Sequence, residues 1–158
     1  MKTLPAGGLV RPPLRRRALS QGLACAALLA APVFGLGQTR TPTPTDPQRR
    51  WYDAALAMKR LAQSWGDQPY GAVLVLAEKI IGEGPSRVVQ RGDPNAHAER
   101  EAIRDAQRRL GAGALAGSIL YSTSRPCTLC EAAAAEAGVA SMIFGPALTD
   151  AGRPKPQP

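Results

Sequence analysis

The chain has 158 residues, 44% hydrophobic and only 4% aromatic, with a formal charge of +8 at pH 7. Three cysteines exclude a disulfide-dense scaffold, and the length suits one domain with its own core rather than several. Nor does the charge establish a nucleic-acid partner, because five of the twenty Lys/Arg and none of the twelve Asp/Glu fall in residues 1–37.

Met1 to Ser20 carries Lys2, Arg11, Arg15, Arg16 and Arg17, and Gly22 to Leu36 is an uncharged run rich in Ala and Leu. A basic start, a short apolar segment and a small-residue exit read as an export signal over residues 1–37, with an uncleaved anchor as the alternative. The apolar run is too short and too rich in Gly and Ala for a spanning helix, so no membrane span is expected after cleavage. Arg16-Arg17 is compatible with the twin-arginine route, and Gly35 and Gly37 satisfy the small-x-small rule. The expected destination is the periplasm or the exterior. Removing the signal leaves fifteen basic and twelve acidic residues, with Cys127 and Cys130 as the remaining cysteines.

Residues 38–46 form an extended Thr/Pro linker. Asp46-Pro47 supplies a cap and a first-turn proline, and Trp51, Ala54, Ala55, Met58, Leu61, Ala62 and Trp65 follow at helical spacing up to Gly66. Gly71 to Ala77 is a continuous apolar run that suits a buried strand. A turn at Glu78-Lys79 leads into a second strand from Ile80 to about Gly84-Pro85. Asp93-Pro94 opens a helix with Ala98, Ala102, Ile103, Ala106 and Leu110 on its buried stripe and Arg100, Arg104, Arg108 and Arg109 on solvated faces. A strand over Ser118–Ser122, an Ala-rich helix over Cys127–Ala137 and a strand over Val139–Phe144 follow. The expected domain spans 47–148, and residues 149–158 read as a disordered tail. Alternating strands and helices imply a mixed sheet of about four strands, helices on both faces, and parallel pairing in its second half.

His97, Cys127 and Cys130 are three metal ligands of the type zinc takes in catalytic sites, where a fourth position stays open for water. Cys127 and Cys130, three apart on a first helical turn, can converge on one ion, and the helix amino terminus favours their thiolates. Glu99 is not needed as a ligand. Residues at i and i+2 do not share a helix face, so His97 is expected just outside the helix and Glu99 in its first turn. From there Glu99 is placed to shuttle protons to and from a zinc-activated water. A Cys-x-x-Cys pair in an exported protein has rival uses as a redox dithiol or a disulfide.

His97-Ala98-Glu99 with Pro126-Cys-Thr-Leu-Cys130 matches the zinc nucleobase deaminase signature. With Asp67-Gln-Pro-Tyr-Gly-Ala-Val73, Ile81-Gly-Glu-Gly84, Asp93-Pro-Asn-Ala-His97, Leu120-Tyr-Ser-Thr123 and Phe144-Gly145, the chain resembles the cytidine/deoxycytidylate deaminase superfamily. It is most similar to that superfamily's tRNA-adenosine and guanine deaminase branch. The resemblance implies a three-layer α/β/α fold, Zn2+ held by His97, Cys127 and Cys130, Glu99 as catalytic proton shuttle, and a homodimer. It also implies that the Ala98 backbone amide contacts the base. Three departures stand out. Ser86 lies where the family usually has a base-binding asparagine, leaving one hydroxyl as substrate contact, and Arg125 lies where the branch commonly has glutamate. The third is that the pocket-building fifth strand and C-terminal helices of relatives are expected to be missing. Hydrolytic deamination of a free nucleobase or nucleoside is the expected activity, with a catalytically weak zinc-binding domain as the alternative. A mildly basic exported chain makes tRNA an unexpected partner.

Overall fold

The computed structural model describes residues 46–157, so the export signal and nearly all of the linker lie outside the described residues. The described chain opens with α1 (Asp46–Ser64), then a hairpin of β1 (Gly71–Leu76) and β2 (Lys79–Pro85). A single helical turn, α2 (Val88–Arg91), precedes α3 (Ala98–Leu110), and a 3-10 turn at Ala112–Leu115 leads to β3 (Ile119–Ser122). Next come α4 (Thr128–Glu136), β4 (Ser141–Phe144) and β5 (Thr149–Gly152). Among the described residues, no helix is long and apolar enough to cross a membrane.

The sheet has five strands in the order β2-β1-β3-β4-β5, not four. Antiparallel pairing joins β1 to β2 and to β3, the β3–β4 pair is parallel, and β4–β5 is antiparallel again. The expected disordered tail therefore begins with an edge strand, in which Thr149 pairs with Phe144 and Asp150 with Ile143. Ser141 Oγ also donates to Asp150 Oδ1 at 2.7 Å. Thr-Asp-Ala-Gly carries little strand propensity of its own, so the ladder and this side-chain bond decide its conformation.

Strand alternation divides the core into two layers. Ala72, Leu74, Leu120 and Met142 face α3 and α4, where Ala98, Ala102, Ile103, Ala106, Ala134 and Ala137 meet them. Val73, Val75, Tyr121 and Ile143 face Ala55, Trp51 and Met58 of α1. This is the expected three-layer α/β/α architecture. Small residues let α3 lie almost on the sheet. A Cβ on Gly84 would collide with the Ala98 carbonyl and the Ala102 amide, and one on Gly82 with the Ala102 carbonyl.

Several boundaries differ from expectation. The hairpin turns at Ala77-Glu78, one residue early, because Leu76 pairs with Lys79. Both turn residues take positive φ, 47° and 58°, as a two-residue type I′ turn demands. Helix α3 starts at Ala98 rather than near Asp93, since Asp93 Oδ1 accepts from Asn95 N–H and the Asp93 carbonyl from Ala96 N–H. Leu110, expected on the buried stripe, is half exposed at the helix end, and Leu61 and Trp65 sit at the rim of theirs. The Arg87 guanidinium covers the Trp65 ring, 4.5 Å from its centroid.

Candidate metal centre and cleft

Two helices begin at the same place. His97 is the N-cap of α3 (φ −64°, ψ 153°) and Cys127 the N-cap of α4 (φ −77°, ψ 168°). Neither side chain bonds back to its own helix, as a capping side chain would. Both turn instead toward one point, joined by Cys130 from the first turn of α4. The Ala96 carbonyl accepts from Arg87 N–H at 3.0 Å, sewing the segment before His97 to the end of β2. Glu101, buried on α3, takes Arg91 at 2.9 Å and Arg104 at 2.7 Å, tying α2 to the same helix.

The three donor atoms lie within 4.8 Å of one another. Cys127 Sγ is 3.6 Å and Cys130 Sγ 3.5 Å from His97 Nδ1. Zinc bonds of about 2.3 Å to sulfur and 2.0–2.1 Å to nitrogen, opened to a tetrahedral angle, require an S···N edge of about 3.5–3.6 Å. The residues fit zinc. Neither cysteine is in a disulfide, and Cys127 is exposed while Cys130 is buried. Burial, then the neighbouring Glu99 carboxylate and Cys127, push the Cys130 thiol above its ordinary range, against the lowering expected from the helix terminus. A cation at the cluster is what would reverse this.

Glu99 is buried in the first turn of α3, with Cys130 Sγ 3.6 Å from its Oε2. Burial raises its carboxyl above the usual range, partly opposed by hydrogen bonds from its own backbone amide and from Cys130. Over this floor opens a cleft of about 240 Å³ lined by Gln68, Tyr70, His97, Ala98, Glu99, Ser124, Arg125 and Cys127. The structure thus brings six residues singled out in the sequence to one cleft: His97, Ala98, Glu99, Arg125 and Cys127 in its lining, and Cys130 behind them.

Ser86 is not brought there. It is fully buried, and its Oγ donates to Asp67 Oδ1 at 2.9 Å. Asp67 also accepts from Gln68 N–H (2.7 Å) and Gln90 N–H (2.8 Å), so it braces the loop that carries Gln68 and Tyr70. Burial raises the Asp67 carboxyl, but the bonds from Gln90, Ser86 and Gln68 outweigh it and hold the group below its usual range. Gln68, Tyr70 and Ser124 are cleft residues that spacing did not single out. Gln68 and Tyr70 do lie in the Asp67–Val73 stretch that resembles the family, and all three adjoin strand ends, where open α/β sheets place ligands.

A family model described as the cytidine and deoxycytidylate deaminase zinc-binding region matches residues 45–146. The chain is 37% identical over 100 residues to the tRNA-specific adenosine deaminase of Buchnera aphidicola subsp. Schizaphis graminum, covering 63% of this chain and 66% of that protein. It is 42% identical over 83 residues to the guanine deaminase of Bacillus subtilis, covering 52% of this chain and 53% of the relative. The chain therefore spans between half and two thirds of these relatives' length. A solved structure from a study of tRNA A34 deaminases matches with a TM-score of 0.59 and 37% identity, over 61% of this chain and 70% of that one. With the His97–Cys127–Cys130 cluster shaped for zinc, the matched span assigns this chain to the cytidine and deoxycytidylate deaminase family, a zinc-binding family of deaminases.

Proposed function

We propose that the domain removes an amino group by hydrolysis from a free nucleobase or nucleoside of the purine or cytosine type, releasing ammonia. The observation that carries this reading is Glu99, a carboxylate left over from the ligand set and buried beside it at the floor of a cleft. His97 Nδ1 and the sulfurs of Cys127 and Cys130 would hold zinc, which supplies Lewis acidity that makes water nucleophilic at neutral pH. Glu99 as the carboxylate, its proton affinity raised by burial, is suited to take one proton from the attacking water. It passes that proton to the ring nitrogen. It then takes the second from the hydroxyl now on the ring carbon and passes it to the amine, which leaves as ammonia as the C–N bond breaks and the ring carbonyl forms. The Ala98 N–H, first in its helix, has no intrahelical acceptor and is free to donate to the base.

The cleft, about 240 Å³, falls below the usual ligand-pocket range of about 300–1,000 Å³ and suits one ring system. A polynucleotide would have to present its base extruded from the stack. That second reading, adenosine within tRNA, is favoured by the likeness to the Buchnera enzyme. Export belongs to the first reading and rests on the basic-then-apolar composition of residues 1–37. Amino-terminal sequencing of the exported form, expected to start after Gly37, checks it.

Zinc-loaded protein should be assayed for ammonia release from guanine, adenine, cytosine, their nucleosides and an anticodon stem-loop. Glu99→Ala is expected to retain zinc and lose about 10²–10⁴-fold in turnover. Stoichiometric zinc with no turnover on any substrate refutes the reading in favour of a zinc-binding domain. A reversible Cys127–Cys130 disulfide without zinc refutes it in favour of a thiol protein.

A further inference from the structure

Arg125 stands on the loop between β3 and α4 and lines the cleft. Its backbone is anchored nearby. Thr123 N–H donates to the Gly71 carbonyl at 2.9 Å, Gly71 N–H donates to Thr123 Oγ1 at 3.1 Å, and Ser122 Oγ donates to the Ser124 carbonyl at 2.6 Å. The guanidinium lies 5.9 Å from the centroid of the Phe144 ring. Such a contact restrains a long side chain while leaving its in-plane donors unspent.

Those donors have no internal claimant. Among the described residues no carboxylate forms an ion pair with Arg125, nor with Arg49, Arg50, Arg60, Arg100 or Arg153, but of these Arg125 is the one that lines the cleft. Of the other ionisable groups lining the cleft, His97 and Cys127 belong to the metal cluster and Glu99 lies beside it, and Tyr70 carries no cation. Arg125 therefore contributes an unneutralised positive charge to the wall of a small cleft.

We infer that Arg125 is a specificity-determining residue that binds an anionic substituent, carboxylate or phosphate, on the amino-bearing heterocycle. This rests on the deaminase reading above. A guanidinium fork meets either anion through paired, charge-assisted hydrogen bonds, and a cleft sized for one ring system leaves the anionic arm at its wall.

The test uses the zinc-loaded full chain and matched pairs: nucleosides against their 5′-monophosphates, and neutral aminopyrimidines against their ring carboxylates. Wild type should prefer the anionic member of at least one pair, and which pair responds distinguishes phosphate from carboxylate. Arg125→Ala should lower the anionic-to-neutral ratio of kcat/KM by about ten- to a hundredfold, mainly through KM, and Arg125→Glu should invert it. Calorimetric binding of the same compounds to Glu99→Ala protein, with and without Arg125→Ala, reads the same ratio without turnover. If no compound is deaminated, the deaminase reading fails while an Arg125-dependent binding ratio still upholds the inference. Equal losses on both members, or no charge preference in either assay, overturns it.

Discussion

Gly84→Ala tests whether the sheet sets the metal geometry. The added methyl would lie 2.9 Å from Ala102 Cβ and inside the Ala98 carbonyl and the Ala102 amide. None of these is the end of a flexible side chain, so α3 must retreat by roughly 1.5 Å to bring the nearest of them to an ordinary contact of about 3.5 Å. Overpacking costs about 1–3 kcal/mol, and collision with helix backbone puts this substitution near the upper end. The same retreat carries His97 and Glu99, at the start of α3, away from the cysteines, which start a different helix. Metal sites tolerate about 0.2 Å of error in their ligand distances, so the S···N edges of 3.5 and 3.6 Å would no longer serve. Urea unfolding of metal-free protein should show a loss of about 3 kcal/mol. Zinc competition against a chelator should show at least a tenfold loss of affinity, about 1.4 kcal/mol or more. Gly113→Ala, with nothing within 4 Å of its new methyl, is the control, expected within about 0.5 kcal/mol of wild type. If Gly84→Ala matches that control in both assays, the close approach of α3 to β2 does not set the site.

Asp67→Asn should cost about 1–3 kcal/mol at neutral pH, because an amide cannot accept from Gln68, Ser86 and Gln90 together without facing one donor with another. The folded carboxyl lies below its ordinary value, so its contribution is full above the unfolded pKa of about 3.9 and is lost as pH falls through the folded value. Unfolding series should therefore show the gap between wild type and mutant narrowing only below about pH 4. A gap that stays constant down to acid denaturation would contradict this. Replacing Ala77-Glu78 by Asn-Gly relieves two non-glycine residues at positive φ and should raise the thermal midpoint, by about 1 kcal/mol of stability. No gain would mean the turn is not of the primed type.

The metal centre was legible because its logic is local. The i, i+2 spacing of His97 and Glu99 forbids a shared helix face, and the structure answers with His97 as N-cap and Glu99 in the first turn. The central strand was legible because Gly71–Leu76 is covered by helices on both sides and so reads as an unbroken apolar run. What escaped depends on distant partners. Val88–Arg91, with its pair of β-branched residues, is helical under the grip of Asp67, 23 residues back, on Gln90 N–H. Ser86 looked like a substrate contact until the same Asp67 claimed its hydroxyl. Asp93-Pro-Asn carries a helix-start signature and a turn signature equally, and its contacts choose the turn. Thr149–Gly152 becomes a strand only because β4 leaves an edge for it.

His97 and Cys127 both sit at N-caps, so two helix amino termini, each worth about half a positive charge, face the place where a dication belongs. With neutral donors alone, such a junction would attract an anion before it attracted zinc. The two sulfurs change its sign, because each can arrive as a thiolate, and together they cancel the ion's charge. Cysteine at positions 127 and 130 thus supplies electroneutrality as well as bonds. A histidine at 127 would keep a donor atom and still leave the end of α4 opposing the metal.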